Sequence, residues 1–151
     1  MRAAVLQINS GADRDRNIEA AGSLIRAAAD DGAELVVLPE KWALLGDGKA
    51  LTGGAENLDG EAISSARYWA VDHQLYVLAG SFTELSKSGL PTNTSVLVAP
   101  TGQITARYEK LHMFDVEAGG VEYRESEHER AGQDLAVGRV ESNLRAGGDH
   151  D

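Results

Sequence analysis

The chain of 151 residues contains no cysteine. That absence excludes disulfides and thiolate metal sites, and it removes a strong nucleophile for work near neutral pH. Positive charge is also scarce: 14 Lys and Arg stand against 24 Asp and Glu, a formal net charge of −10. Phosphate backbones are repelled by such a surface, so nucleic acid is not expected as a partner. No apolar run approaches the roughly 20 residues that cross a bilayer, so no membrane partner is expected either. The opening Ala3-Ala4-Val5-Leu6 is too short for a secretory leader, which makes a cytoplasmic protein the expectation. Internal repeats are absent, and Gly53-Gly54 matches no phosphate-binding motif.

What remains is an ordinary globular composition, with enough Val, Leu, Ile and Ala for one domain with a real core. Residues 2–8 read as a first strand. Asp13 is placed to cap a helix reaching about Asp30, with Ile18, Ala21, Ile25 and Ala28 on one face. Gly32 suits its left-handed end. The continuous run Leu35-Val36-Val37-Leu38 predicts a strand buried on both faces, stopped by Pro39. Residues 44–60 read as a loop with a short helical turn. A second helix is expected from Glu61 to about His73, with Ile63, Ala66 and Ala70 inward, and then a buried strand over 75–81. Strand–helix–strand–helix–strand implies right-handed crossovers and a layered α/β fold.

After this the pattern becomes antiparallel. Residues 94–99 and 103–108 flank Pro100-Thr101-Gly102 as a hairpin. From Leu111 onward the sequence reads as loop, with one weak strand at most, at Leu135-Ala136-Val137. Between Glu117 and Asp151 there are nine acidic residues against four arginines, so this end reads as solvated.

Three ionisable residues fall at strand ends, where side chains do chemistry rather than packing. Glu40 follows the carboxyl end of a buried strand, the end at which open α/β sheets bind ligands. It is a candidate general base. Lys110 follows a hairpin strand and is a candidate for stabilising a developing oxyanion. Glu125 would orient such a lysine by a charge-assisted hydrogen bond. Taken singly, each also reads as an ordinary surface charge.

Three blocks, taken in order, closely resemble the nitrilase, or carbon–nitrogen hydrolase, superfamily. They are Val36-Val37-Leu38-Pro39-Glu40, then Asn93-Thr94-Ser95 opening a strand, then Arg107-Tyr108-Glu109-Lys110-Leu111-His112-Met113-Phe114-Asp115-Val116. The nearest branch looks like the Nit-type amidases, which include omega-amidases and deaminated glutathione amidases. The resemblance covers Met1 to about Gln133. It implies an α-β-β-α sandwich that pairs sheets across a dimer, and a Glu–Lys–Cys mechanism with no metal or organic cofactor. Glu40 resembles the base that takes the thiol proton. Lys110 resembles the residue that stabilises the tetrahedral intermediate, and Glu125, in Tyr-Arg-Glu-Ser, the glutamate that positions the lysine.

The family's cysteine motif has no counterpart here. The expectation is therefore the N-terminal portion of such an enzyme over residues 1–133, about half of the sandwich, followed by a divergent, disordered tail over 134–151. The end of the chain reads as a wrong frame or a premature gene end. Alone, the chain is expected to be inactive on a small amide. The alternative is a non-catalytic scaffold that binds a small carboxylate or pairs with a cysteine-bearing subunit. Ser95, Ser126 and Ser142 are poor substitutes, because a lone glutamate activates serine weakly. His112, Asp115 and Glu125 have the donor types of an oxygen/nitrogen metal site, but the resemblance makes His112 structural. Trp42 and Trp69 read as core anchors, although Trp42 is close enough to Glu40 to line a pocket. A half-sandwich leaves apolar strand faces open, so a homo-oligomer or an aggregation-prone chain is expected.

Overall fold

Alternating short strands and helices in the first half of the chain build one sheet and cover one of its faces. The computed structural model describes residues 1–87 and 89–142. Strands β1 (Ala3–Val5), β2 (Leu35–Val37) and β3 (Tyr76–Leu78) are parallel, with Val5 opposite Val37 and Val37 opposite Leu78. Helix α1 (Arg14–Asp30) crosses from β1 to β2, and α3 (Glu61–Asp72) leads into β3. The Asp13 side chain caps α1 by accepting from Arg16 N, and Gly32 follows with φ +80. A short helix, α2 (Gly48–Gly53), occupies the expected loop and is capped by Asp47. Ala21, Ile25, Ile63, Ala66 and Ala70 are buried against Val36, Leu38, Val77, Val96 and Val98. The expected inward faces of both long helices are therefore the observed ones. None of the helices among the described residues is long and apolar enough to cross a membrane.

The antiparallel half follows from the predicted hairpin. Strand β5 (Thr92–Val98) pairs with β6 (Ile104–Glu109) on one side. On its other side lie β3 and then β4 (Phe82–Glu84), end to end. The expected strand over 75–81 is thus broken at Gly80, which has φ +32. A Cβ built there would lie 1.9 Å from the Pro39 carbonyl oxygen. Glycine lets the end of β2 press against this kink, beyond which the Ser81 hydroxyl accepts from the Lys41 N–H and the Thr83 hydroxyl donates to Glu129. Gly80→Ala is expected to cost about 2 kcal/mol or more, because the clash is with backbone and the φ is unfavourable. Thermal melting checks this, at roughly 2–4 °C per kcal/mol for a chain of this size.

Two further sequence expectations need correction. Strand β2 is not buried on both faces: Val36 is fully buried, while Leu35 and Val37 are only half-buried. Among the described residues an irregular segment crosses that second face, where Ala136, Gly138 and Val140 share a groove of roughly 270 Å³ with Leu35, Leu78 and Leu97. The Leu135–Val137 stretch, read as one weak strand at most, is part of this segment and forms none. The region after Leu111 is not all loop. Strands β7 (Asp115–Ala118) and β8 (Val121–Arg124) form a second hairpin, turned by Gly119 and Gly120 at φ 60 and 77. Its residues are mostly exposed, so no apolar alternation announced it; the Phe114 and Tyr123 rings, 5.7 Å apart, brace its base. The expected tail lies partly beyond view, since residues 143–151 fall outside the described ones.

Candidate active site

The carboxyl end of β2, the end of β6 and the turn after β8 meet at one rim of the sheet. Glu40 comes directly after Pro39, in the turn that ends β2. Lys110 follows β6 and is fixed by its backbone, whose N–H donates to Asn93 O at 2.9 Å. Glu125 opens a 3₁₀ turn (Glu125–Glu127) at the foot of the second hairpin. All three sequence candidates converge. Lys110 Nζ lies 3.0 Å from Glu40 Oε1 and 2.9 Å from Glu125 Oε2. The side chain of Glu40 remains 57% exposed toward a cleft of roughly 790 Å³, which Lys110, Glu125 and Phe114 also line.

Asn93 completes the arrangement, in a role that its place at the start of β5 did not reveal. Its amide donates to Glu40 Oε1 at 2.7 Å. Oε1 therefore accepts from both Asn93 and Lys110, and Oε2, which accepts from no donor among the described residues, is the oxygen open to a proton. Glu125 is held from the other side by the Phe114 N–H, which donates to Oε2 at 2.7 Å. Below it, Ser126 is tied to Asp115 through its N–H at 3.0 Å and its hydroxyl at 2.6 Å. Ser126 thus serves the turn, not Glu40. Its hydroxyl and N–H hold the Asp115 carboxylate below the usual range.

Sequence reasoning also passed over two buried charges beside this rim, Lys41 and Glu129. Lys41 donates to Glu129 at 2.8 Å, and Glu129 accepts from Thr83 Oγ1 at 3.0 Å. A signal was present: Glu129 lies four residues after Glu125, and its N–H donates to the Glu125 carbonyl. Among the described residues no group of three His, Cys, Asp or Glu has the geometry to hold a metal ion. Trp42 is fully buried and packs on Trp69 at 5.7 Å, in the core and not on the cleft.

Opposed charges set the protonation of Lys110 and Glu125. Burial disfavours the Lys110 ammonium, but hydrogen bonds to Glu125 and Glu40 outweigh it and hold its pKa above 10.5. Burial likewise works against the Glu125 carboxylate. Hydrogen bonds from Lys110 and Phe114 prevail and bring it down from 4.5 to about 2. Glu125 is more readily ionised in the folded chain than in the unfolded one. Its stabilising contribution is therefore complete above the ordinary carboxylate range and lost as pH falls from 4.5 toward about 2. The Lys110 contribution is complete below 10.5 and lost as pH rises beyond it. Chemical denaturation across pH is expected to show a plateau between these limits, and Glu125→Gln is expected to flatten the acid limb.

A layered α/β sheet carries a carboxylate–ammonium–carboxylate cluster at its strand ends, as expected for a nitrilase-type fold. The chain belongs to the carbon-nitrogen hydrolase family, whose family model matches residues 2–146. It is 38% identical over 134 residues to a deaminated glutathione amidase of Synechocystis, covering 87% of this chain and 49% of that protein. It is 32% identical over 126 residues to an omega-amidase of Homo sapiens, covering 83% and 45%. The chain thus spans about half the length of the curated relatives it matches. Among solved structures, the NitFhit protein of C. elegans superposes with a TM-score of 0.75 at 30% identity, over 87% of this chain and 33% of that one. A Saccharomyces cerevisiae member of branch 10 of the nitrilase superfamily gives 0.73 at 21% identity, over 86% and 48%, which shows the shared fold.

Proposed function

We propose that this chain supplies the base and oxyanion-stabilising half of an amidase site that hydrolyses a small amide through a cysteine thiolate. The observation that carries the reading is the convergence of Glu40, Lys110 and Glu125 on one rim, with Lys110 Nζ within 3.0 Å of a carboxylate oxygen of each neighbour. Glu40 Oε2 takes the proton of a thiol. The thiolate attacks the amide carbon, and the Lys110 ammonium faces the oxygen that gains charge. Protonated Glu40 then returns its proton to the departing amine, and water hydrolyses the thioester with Glu40 again as base. The names of the amidase relatives support an amide substrate, an ω-amide foremost.

The 151 residues contain no cysteine, so the nucleophile must come from elsewhere. Removing the nucleophile of such a unit costs about six orders of magnitude in turnover. The test is to assay ammonia release from a short dicarboxylic acid monoamide, with the chain alone and after co-expression with a cysteine-bearing C-terminal half of a relative. No release alone and clear release after complementation is the expected result. Release by the pure chain, abolished by Glu40→Gln, would overturn the missing-nucleophile part. Tight binding of a dicarboxylate with no turnover in the complemented sample would favour the scaffold reading. The half-covered second face of the sheet also supports self-association. Sedimentation at increasing concentration is expected to show species larger than a monomer.

A further inference from the structure

Glu125 faces two ammonium groups, and only one of them, Lys110, belongs to the Glu40–Lys110–Glu125 cluster. Lys41 Nζ is 3.7 Å from Glu125 Oε1 and 2.8 Å from Glu129 Oε2. Lys41 is 8% exposed and Glu129 1% exposed. Charged side chains are almost never buried this deeply unless paired. The lysine backbone adopts φ 50, a region unfavourable for a residue with a Cβ, and its N–H is held by Ser81 Oγ at 3.0 Å. Stability is a weak explanation for this expense, because buried ion pairs are commonly replaceable by apolar residues at no loss. The pair also lines the same cleft as Glu40 and Lys110.

We propose that Lys41 and Glu129 form a positioning pair, in which Lys41 ties the turn after β2 to the turn after β8 and fixes the Glu125 carboxylate between two ammonium groups, so that Lys110 is presented to Glu40 and the cleft. Charge alternates along the chain Glu40, Lys110, Glu125, Lys41, Glu129. Among the described residues, Lys110 from the end of β6 and Lys41 from the turn after β2 are the cations that face Glu125. Glu129 from its own turn and Glu40 are the anions gathered on those two lysines. Asn93 on β5 and the Phe114 N–H supply neutral donors. The inference extends the amidase reading, but its test needs no turnover. A failed assay for hydrolysis leaves it standing, and its own failure leaves that reading standing.

The experiment follows the ¹³Cδ signal of Glu125, assigned through Glu125→Gln, across pH in the intact chain. The variants are Lys41→Met, Lys41→Arg and the double variant Lys41→Met with Glu129→Gln. In the double variant both buried charges are removed together, so it stays folded if the single variant does not. Hydrogen exchange is measured at neutral pH at the Phe114 amide, which bonds Glu125, and at the Val77 amide in the sheet centre. Removing the Lys41 charge is expected to raise the Glu125 midpoint by about one pH unit, the low end for loss of an opposite charge at this range. It should also speed exchange at Phe114 more than at Val77, and Lys41→Arg should restore both. An unchanged midpoint in folded Lys41→Met, or unchanged Phe114 exchange in the folded double variant, would overturn the proposal. So would equal acceleration at Phe114 and Val77, which is the mark of a residue that only stabilises the fold.

Discussion

Lys110→Met, in the amidase completed by a cysteine-bearing half, is expected to lose roughly 10²- to 10³-fold in kcat, with KM little changed. The rate falls because the ammonium acts on charge that appears only after attack on the amide carbon. A ground-state contact would have moved KM instead. A second consequence is electrostatic. With the ammonium gone, Glu40 and Glu125 remain gathered around the Asn93 amide, which lies 2.7 Å and 3.5 Å from them. Two carboxylates sharing one site cannot both ionise cheaply. Glu125 is therefore expected to titrate above its value of about 2 in this variant. Steady-state kinetics reads the first effect and carboxylate NMR the second. A variant that keeps full kcat would remove Lys110 from the reaction.

Trp42→Ala is expected to be the most damaging single change to the fold, costing about 3–5 kcal/mol. Typical domains have only about 5–15 kcal/mol in total, so most of the stability would go. The indole is completely buried, lies 5.7 Å from the Trp69 ring, and closes the turn that begins at Glu40. Its carbonyl accepts from Ser10 Oγ at 2.8 Å, which ties the turn to the segment before α1. The indole N–H has no hydrogen-bond partner among the described residues. Trp42→Phe therefore removes an unsatisfied donor along with some volume, and it should cost much less than the alanine change. A denaturant titration comparing the two variants measures the difference. Similar losses for both would show that the indole N–H is bonded in solution.

The contrast between Trp42 and Lys41, neighbours in one turn, shows where sequence reading succeeds. Trp42 was legible as a core anchor because a large aromatic ring beside a buried strand has few other places to go. Lys41 was not, because its meaning depends on Glu129, 88 residues away. Glu40 and Lys110 are separated by 70 residues. They were read together only through ordered motifs, not through any local pattern.

The same division holds across the molecule. Sequence alone determined the parallel half, the β5–β6 hairpin and the inward faces of both long helices, since periodicity, capping residues and turn residues act within a few positions of each other. It also determined that no thiol is present. Tertiary structure decided the kink at Gly80, where two backbones approach too closely for a Cβ. It decided the half-buried second face of β2, which depends on what crosses that face. It decided, too, that Asn93, Lys41 and Glu129 join the charged rim. Burial, charge pairing and close backbone approach are properties of segments brought together by the fold, and no window of consecutive residues contains them.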